Sequence, residues 1–545
     1  MTPILQAIAV CVTTFFAWRF ARWILSRNTL DNVQGPATTS FWKGHLSPLF
    51  NRHGWDFHRE LSEKYGSVVS LRGVFGRKVL YIFDPKAMHH VCVKEQNIYE
   101  ETRGFLVANR ILFGANLLSS AGDAHRQQRK FLNPVFSINH MRHMIPIFNN
   151  VSDRLRIALK AAVEKDSGCD IDMTVWMSRV ALELIGQAGL GYSFDPLTEE
   201  VVHPYASAIK ALPAQLFSLE PLRDWLPYIY STVPHSILLT LAKIIPSRRI
   251  RAAHNTAYIV WDACKEILVE KRAAIAAGKE AVSQLAGEGK DLLSVLLHEN
   301  SKAQINERIS DDDILGHMSA FIFAGTDTTS SALIRVLYVL AAHPEAQAKL
   351  RKELKEARAD GQELSYDDLV SLPYMDAVCR ETLRLYSPVP FMTRETNKDS
   401  VLPLHTPIKG KDGQLLDEIA VPANTMVIIG ILASNRSQVL WGEDAHEWKP
   451  ERWLAPLPES LTEARVPGVY SHLMTFFAGG RACIGFKFSQ LEMKVILAML
   501  IENFTFDLSP DKEIYWNFSG IVYPTVGPVD AQMQLPLRVA LASRD

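Results

Sequence analysis

Paired cysteines are scarce in this chain: its 545 residues contain six cysteines, and no two of them form a Cys-x-x-Cys motif. Scattered single cysteines argue against a disulfide framework or a zinc site, and they favour a reducing compartment. The chain also lacks an excess of one charge, since its net charge is −1 at pH 7. Without a basic field, nucleic acid is not expected as a partner. A Gly-x-Gly-x-x-Gly fingerprint for dinucleotides is absent as well.

The first part of the chain has no charged residue between Thr2 and Trp18, and three arginines follow at positions 19, 22 and 27. This run is close to the shortest membrane-spanning helix, since about 20 residues are needed at about 1.5 Å each. The basic residues follow the apolar run, which predicts an uncleaved anchor in residues 1–25 with the rest of the protein in the cytosol. An amphipathic interfacial helix and a signal peptide are the alternatives.

The remainder of the chain divides into a short linker and one long segment. Residues 26–49 contain Gly-Pro and a further proline, which are typical of a linker, and residues 50–545 show no obvious domain boundary. The apolar pattern predicts a helix over 55–65, a β-hairpin over 67–83, and mostly helices from about 85 to 390.

A ten-residue stretch near the C-terminus carries the strongest signal: Phe476-Phe477-Ala478-Gly479-Gly480-Arg481-Ala482-Cys483-Ile484-Gly485. Its glycines permit loop conformations that other residues resist, and they let a flat ligand approach the main chain. The apolar residues that follow predict a buried helix beginning beside Cys483. The free amides of that helix, together with Arg481, are expected to favour a thiolate, which is a metal ligand or a nucleophile. A buried structural cysteine is the alternative.

A second pattern predicts an unusually long helix. Ser310 and the three aspartates after it are a helix start, and no proline follows until Pro344, so the helix has about 30 residues and a length of roughly 45 Å. Its middle, Ala324-Gly325-Thr326-Asp327-Thr328-Thr329, consists largely of poor helix formers. A cluster of poor helix formers in the middle of so long a helix indicates that this segment has a functional role. A threonine-rich kink packed against its neighbours is the alternative.

A third pattern is a pair of opposite charges on an apolar helix. Glu381 and Arg384 stand at i and i+3 and therefore share one helix face. Taken alone, such a pair is usually a surface ion pair. The later sequence 448–453, Trp-Lys-Pro-Glu-Arg-Trp, supplies a second arginine, Arg452.

Together these motifs resemble the cytochrome P450 haem-thiolate monooxygenases, and the wording at 125–130 and 467–472 is most similar to fungal microsomal members. The resemblance spans about residue 50 to the end. It implies a mainly α fold with small β-sheets (α+β), in a single large domain behind the N-terminal anchor helix. It further implies haem b as cofactor, with Cys483 as the proximal iron ligand.

The resemblance assigns roles to further residues. Asp327 is implied as an acid relay and Thr328 as the hydroxyl that positions protons, while Gly325 makes room for O2. Glu381, Arg384 and Arg452 are implied as a buried clamp behind the haem loop. The remaining implied cofactor contacts are the loop residues Phe476, Gly479 and Gly485 and the propionate-binding candidates His125, Arg129, Arg394 and Arg481. Two positions depart from the family pattern, which often has Trp at 125 and has Phe at 453.

The implied reaction inserts one atom of O2 into a C–H bond of a lipophilic small molecule, and the similarity to fungal members suggests a substrate of terpenoid or other secondary metabolism. Electrons would come from NADPH-cytochrome P450 reductase at the endoplasmic reticulum membrane. The implied substrate contacts are Phe105–Phe113, Ser319–Phe323, Val389–Met392 and Phe518–Val522.

Residues 211–247 are either kinked core or a second membrane contact. A haem-thiolate isomerase or dehydratase and a non-enzymatic haem sensor are the rival functions.

Overall fold

Helices make up most of the chain that the structure describes, as the apolar periodicities predict. The computed structural model describes residues 10–11, 13–15, 18, 29–38, 40–165, 170–197, 223, 225–304, 308–359, 361–528 and 532–543. The predicted anchor, 1–25, lies largely outside these ranges. No helix within them combines the length and the apolar character needed to cross a membrane.

The helices are short before residue 100 and long in the middle of the chain. They are α1 Leu46–Leu49, α2 Trp55–Lys64, α3 Pro85–His89, α4 Arg103–Phe113, α5 Gly122–Leu132, α6 Ile138–Lys165, α7 Met173–Leu184, α8 Leu226–Thr232, α9 His235–Ile244, α10 Arg248–Ala277, α11 Lys279–Ser283, α12 Leu292–Lys302, α13 Asp311–Ala342, α14 Pro344–Ala357, α15 Tyr366–Ser371, α16 Pro373–Leu385, α17 Ile431–Asn435, α18 Gln438–Trp441, α19 Glu459–Ala464 and α20 Phe486–Asn503.

The strands form small sheets around this helical body. They are β1 Val68–Arg72, β2 Lys78–Ile82, β3 Tyr99–Glu100, β4 Asp170–Asp172, β5 Phe391–Thr396, β6 Ser400–Lys409, β7 Leu415–Val421, β8 Met426–Gly430, β9 Gly468–Tyr470, β10 Leu473–Ala478, β11 Phe504–Leu508, β12 Ile514–Ser519, β13 Ile521–Val526 and β14 Pro536–Leu541. The largest sheet has the order β1-β2-β8-β5-β3, and a second has the order β11-β14-β4. The antiparallel pairs β6–β7, β9–β10 and β12–β13 complete the set. The prediction of a mainly α fold with small sheets is confirmed.

The long central helix, α13, begins where the sequence predicts. The Ser310 hydroxyl accepts a hydrogen bond from the Asp313 amide, and the Asp313 carboxylate accepts one from the Ser310 amide, which is a capping box. The helix then runs for 32 residues without a break through the threonine-rich segment. Most of its side chains are buried. Tertiary packing on all sides therefore offsets the poor helix propensity of its middle.

Part of the segment predicted as a linker packs against the largest sheet. Leu30 and Val33 are completely buried, and the amide of Ser70 in β1 donates to the carbonyl of Gln34 at 2.7 Å. Apolar side chains in an otherwise polar stretch explain this docking, because they gain stability when they leave water. The chain from residue 29 is thus continuous with the folded body.

Candidate active site

The cysteine loop connects β10 to α20 and is held by its own backbone. The Cys483 amide donates to the carbonyl of Phe476 at 2.9 Å. Gly479 has a φ of +64°, and a Cβ there would lie 1.9 Å from the carbonyl oxygen of Cys92. The amide of Gly480 donates to Gln96 Oε1 at 3.0 Å. The loop is therefore pressed against the chain that precedes β3, and Gly479 cannot be replaced without moving it.

The Cys483 side chain is exposed, although the elements on either side of it belong to the core. Desolvation by the protein atoms around the loop raises the pKa of its thiol, whereas the Gly485 amide and the Arg129 guanidinium lower it. The amide beside the sulfur thus acts in the predicted direction, but desolvation, which disfavours the charged form, outweighs it in the protein alone. The arginine that lowers this pKa is Arg129, where the sequence analysis expected Arg481. A bound metal ion would deprotonate the thiol by its own charge.

Helix α5 turns two of the predicted cofactor residues toward this loop. His125 is buried, and Arg129, one turn later, donates from Nη1 to the Ala482 carbonyl at 2.5 Å. Burial, together with the charges of Arg481, Arg129, Arg394 and Arg126, lowers the pKa of His125 to about 3. The imidazole is therefore neutral and stands among cations.

Two further arginines come from β5 and from the loop itself. Arg394 is 2% exposed, its Nη1 lies 2.8 Å from Glu101 Oε2, and its Nη2 has no hydrogen-bond partner among the described residues. Arg481 donates from Nη2 to Glu100 Oε2 at 3.1 Å and to the Ser120 carbonyl at 2.9 Å. The sequence analysis did not identify Glu100 and Glu101, because neither belongs to a motif. Each pairs with one arginine, and Arg129, which donates to a carbonyl, is a third cation in the cluster, so the two carboxylates neutralise the three arginines only in part.

These residues fit a haem. The fit consists of an accessible sulfur, a cluster of cations with an unsatisfied buried guanidinium nitrogen, and open space at a neighbouring glycine. A Cβ on Gly485 would meet only the Phe136 ring, at 3.8 Å, so protein packing alone does not require that glycine. Two carboxylates on a flat ligand would provide acceptors for the cations.

The predicted clamp brings its three charged side chains together. Glu381 and Arg384 are fully buried and form two hydrogen bonds of 2.8 Å, and Arg452 Nε lies 3.4 Å from Glu381 Oε1. The Lys449 amide and the Trp453 indole also donate to this carboxylate, both at 3.0 Å. Tryptophan in place of the family's phenylalanine thus adds a hydrogen-bond donor to a buried charge.

Asn435, which the sequence analysis missed, connects the clamp to the strand before the cysteine loop. Its carbonyl accepts from Arg384 Nη1 at 2.9 Å, while its side chain accepts from the Met474 amide and donates to Thr475 Oγ1, both at 2.9 Å. Asn435 ends a helix of only five residues, so no periodic pattern marked it. A disturbance of the clamp is therefore expected to reach the loop through β10.

The motif of α13 is accessible at Ala324 and, in part, at Thr328. Between residues 314 and 341 only Ala324 is exposed, and Thr328, one turn later on the same face, is partly accessible. The Thr328 hydroxyl donates to the Ala324 carbonyl at 2.7 Å. Asp327 is buried. A Cβ on Gly325 would lie 3.1 Å from Ile185, so this glycine also permits close packing. The middle of an otherwise largely covered helix is therefore accessible, and the space beside Ala324 and Thr328 is called the cleft below.

Behind this motif, α20 carries an acid that the sequence analysis missed. Glu492 is fully buried, and neither carboxylate oxygen has a hydrogen-bond partner among the described residues. Burial raises its pKa well above the ordinary value, and the nearby Thr329 hydroxyl offsets this only in part. The sequence did contain a signal for Glu492, since a charged residue within the apolar run 486–501 is unusual.

The segments predicted to contact substrate meet in two pairs. The rings of Phe113 and Phe323 lie 4.9 Å apart, and those of Phe391 and Phe518 lie 5.3 Å apart. Such aromatic pairs are typical of the walls of an apolar pocket.

Comparison with known proteins gives consistent matches over nearly the whole chain. Residues 35–527 match the family model described as Cytochrome P450. Cytochrome P450 monooxygenase 91 of Postia placenta is 50% identical over 539 residues, which are 99% of each chain. Cytochrome P450 monooxygenase 81 of the same fungus is 48% identical, over 98% of this chain and 96% of its own. A ganoderic acid synthetase of Ganoderma lucidum is 41% identical over 98% of each chain.

Proposed function

The chain belongs to the cytochrome P450 family and is a monooxygenase, and from this we propose that it oxidises a C–H bond of a lipophilic small molecule with O2. Haem b, held at its iron by Cys483, would supply the oxygen chemistry. The observation that carries the proposal is the accessible thiol of Cys483 beside a cluster of cations that protein carboxylates neutralise only in part.

The residues of α13 would handle protons and water. The Thr328 hydroxyl lies at the accessible face of the helix and can exchange its bond with the Ala324 carbonyl for one to water or to O2 in the cleft. Asp327, buried one residue before it, would relay protons toward that hydroxyl. The intact acid and threonine favour a monooxygenase over an isomerase or dehydratase, which needs no proton delivery to oxygen.

A separate NADPH-dependent reductase would supply the electrons, because the chain has no dinucleotide fingerprint. Helix α5 supports a docking surface beside the cysteine loop. Its inner face carries His125 and Arg129, while Arg126 and Lys130, each one residue further along, are exposed. A basic outer face would attract an acidic partner and lie close to the iron ligand.

Membrane association at the endoplasmic reticulum is proposed from the apolar N-terminal run and from exposed side chains on the folded body. Trp225 is 55% exposed, and Tyr228 and Ile244 are each 70% exposed. The rings of Phe41, Trp42 and Phe75 form an exposed cluster with centroids 5.6 to 6.5 Å apart. Apolar surface of this kind gains stability at a lipid interface.

The substrate class is proposed as terpenoid or another lipophilic secondary metabolite. The aromatic lining of the cleft supports a lipophilic molecule, and the ganoderic acid synthetase among the relatives supports secondary metabolism.

Incubation of membranes containing the protein with lipophilic candidates tests the proposal. Product should form only when NADPH, a P450 reductase and O2 are all present. A product formed from a peroxide substrate without NADPH would support the isomerase or dehydratase instead. Haem binding without any turnover would support the sensor.

A further inference from the structure

Arg335 is a buried cation that the motifs do not include. It lies on α13 two turns after Thr328, on the same helix face, and is 8% exposed. It stands beneath the β12–β13 hairpin, whose Val522 carbonyl accepts a hydrogen bond from Ser331 Oγ at 2.6 Å. The accessible middle of the helix and Arg335 are thus on either side of this contact.

Two aromatic rings surround the guanidinium. Its carbon lies 3.0 Å from the centre of the Trp516 ring and 4.4 Å from that of Tyr386. Within the described ranges no carboxylate pairs with Arg335, and its Nε has no hydrogen-bond partner. A second cation, Arg436, lies 5.7 Å from the same Tyr386 ring. A buried cation needs compensation, and here ring faces provide it in place of a counter-ion.

Each ring lies just before a segment that is expected to contact the substrate. Tyr386 stands three residues before Val389, and Trp516 stands two residues before Phe518. Arg335 therefore contacts the residues that lead into both segments, while its own helix carries a third expected contact segment, Ser319–Phe323.

The two segments also contact each other directly. The amide of Val522 donates to the carbonyl of Pro388 at 2.9 Å, and Phe391 packs on Phe518. A planar cation that stacks on a ring from each segment restricts their relative position more than these contacts alone do.

We propose that Arg335 is a positioning residue that fixes the wall formed by 386–392 and 514–522, and thereby determines which lipophilic molecules the cleft accepts. The inference rests on the proposed function, since it concerns the substrate cavity of that same site.

Two variants test this inference, each measured against the wild-type holoenzyme. Arg335→Met removes the planar cation and keeps an unbranched side chain, and Trp516→Leu removes one ring and keeps Arg335. Binding of clotrimazole, which fills the cavity, is expected to weaken about tenfold in both variants. Binding of 4-phenylimidazole, which needs little beyond the iron, should not change. Hydrogen exchange should rise in 514–526 and 386–392 and remain as in the wild type elsewhere.

Lys349→Met is the matched control. Lys349, on α14, lies 4.1 Å from the Tyr374 ring and donates to Glu451. Neither partner belongs to the two segments. This variant should leave both affinities and the exchange of the hairpin unchanged.

Several outcomes would overturn the inference: unchanged clotrimazole binding in both variants, exchange that rises throughout the protein, or loss of haem from both variants. If Arg335→Met alone fails to bind haem, clotrimazole binding and hydrogen exchange in Trp516→Leu decide whether the inference holds. A wild-type protein whose spectrum does not respond to 4-phenylimidazole would contradict the proposed function instead, and hairpin exchange would still test Arg335.

Discussion

The loop that carries Cys483 and the helix that carries Thr328 are proposed to form opposite sides of one haem site, yet they are constructed differently. The loop is fixed by steric contact at Gly479 and by hydrogen bonds from the Gly480 and Cys483 amides. The helix leaves its middle accessible, and Thr328 makes one hydrogen bond within the helix itself. The difference indicates that the metal side tolerates little change, whereas the oxygen side can change without loss of the fold. Each prediction below tests one side of this comparison.

The largest effect is expected at Gly479. In Gly479→Ala the new Cβ would collide with the Cys92 carbonyl at 1.9 Å, and the positive φ adds strain, so the loop should not form and haem should not be retained. Haem content of the purified protein measures this. Gly413→Ala is the control, since that glycine also has a positive φ but a Cβ would meet nothing within 4 Å. Equal haem content in the two variants would contradict the steric account.

The clamp should respond almost as strongly. Glu381→Ala strands two buried arginines, which should cost about 3–5 kcal/mol of unfolding free energy and most of the haem. Urea unfolding together with haem content checks this. Glu451→Ala removes a half-exposed partner of Lys349 and should cost at most about 1 kcal/mol. A Glu381→Ala protein with normal haem would show that the clamp does not support the loop.

On the oxygen side, Thr328→Ala should keep haem and stability but lose control of protons. Product formed per NADPH is expected to fall on the order of tenfold while hydrogen peroxide rises, because the hydroxyl that positions protons is gone. Thr329→Ala serves as the comparison variant, since Thr329 is buried and its hydroxyl lies 3.2 Å from Ser489 Oγ. Tight coupling in Thr328→Ala would argue that the accessible hydroxyl has no role in turnover.

The smallest effect is expected at Glu492, between the two sides. Burial raises its folded-state pKa above the ordinary 4.5. Below that value both folded and unfolded states hold the proton. As the pH rises above it, only the folded state keeps the proton, so stability is lost. Glu492→Gln should therefore melt at a higher temperature than the wild type at neutral pH, and the difference should shrink toward pH 4.5. The exposed Glu63→Gln should show no such trend.

Periodicity and capping were sufficient to predict the long elements. Helix α13, with its Ser310 cap, and helix α20 begin at the predicted residues, because local hydrogen bonds and one continuous apolar pattern determine them. The β1–β2 hairpin also formed as predicted.

Contacts between distant parts of the chain were not predictable in the same way. Asn435, Glu100 and Glu101 act through the partners described above, which are 39 to 381 residues away, and no local pattern marks such pairs. Residues 211–247 were expected to be kinked core or a second membrane contact, and Pro227 of that segment stands in the first turn of α8, where a missing amide costs nothing. Residues 201–222 of that segment lie outside the described ranges.

The central claim is that Cys483 is the axial ligand of a haem, and the reduced, carbon monoxide difference spectrum tests it most directly. The wild type should show the strongly red-shifted Soret band of thiolate ligation. Cys483→His should lose that band and show the band of a histidine-ligated haem, while Cys379→Ala, at a buried cysteine of α16, should match the wild type. A red-shifted band that persists in Cys483→His would contradict the account.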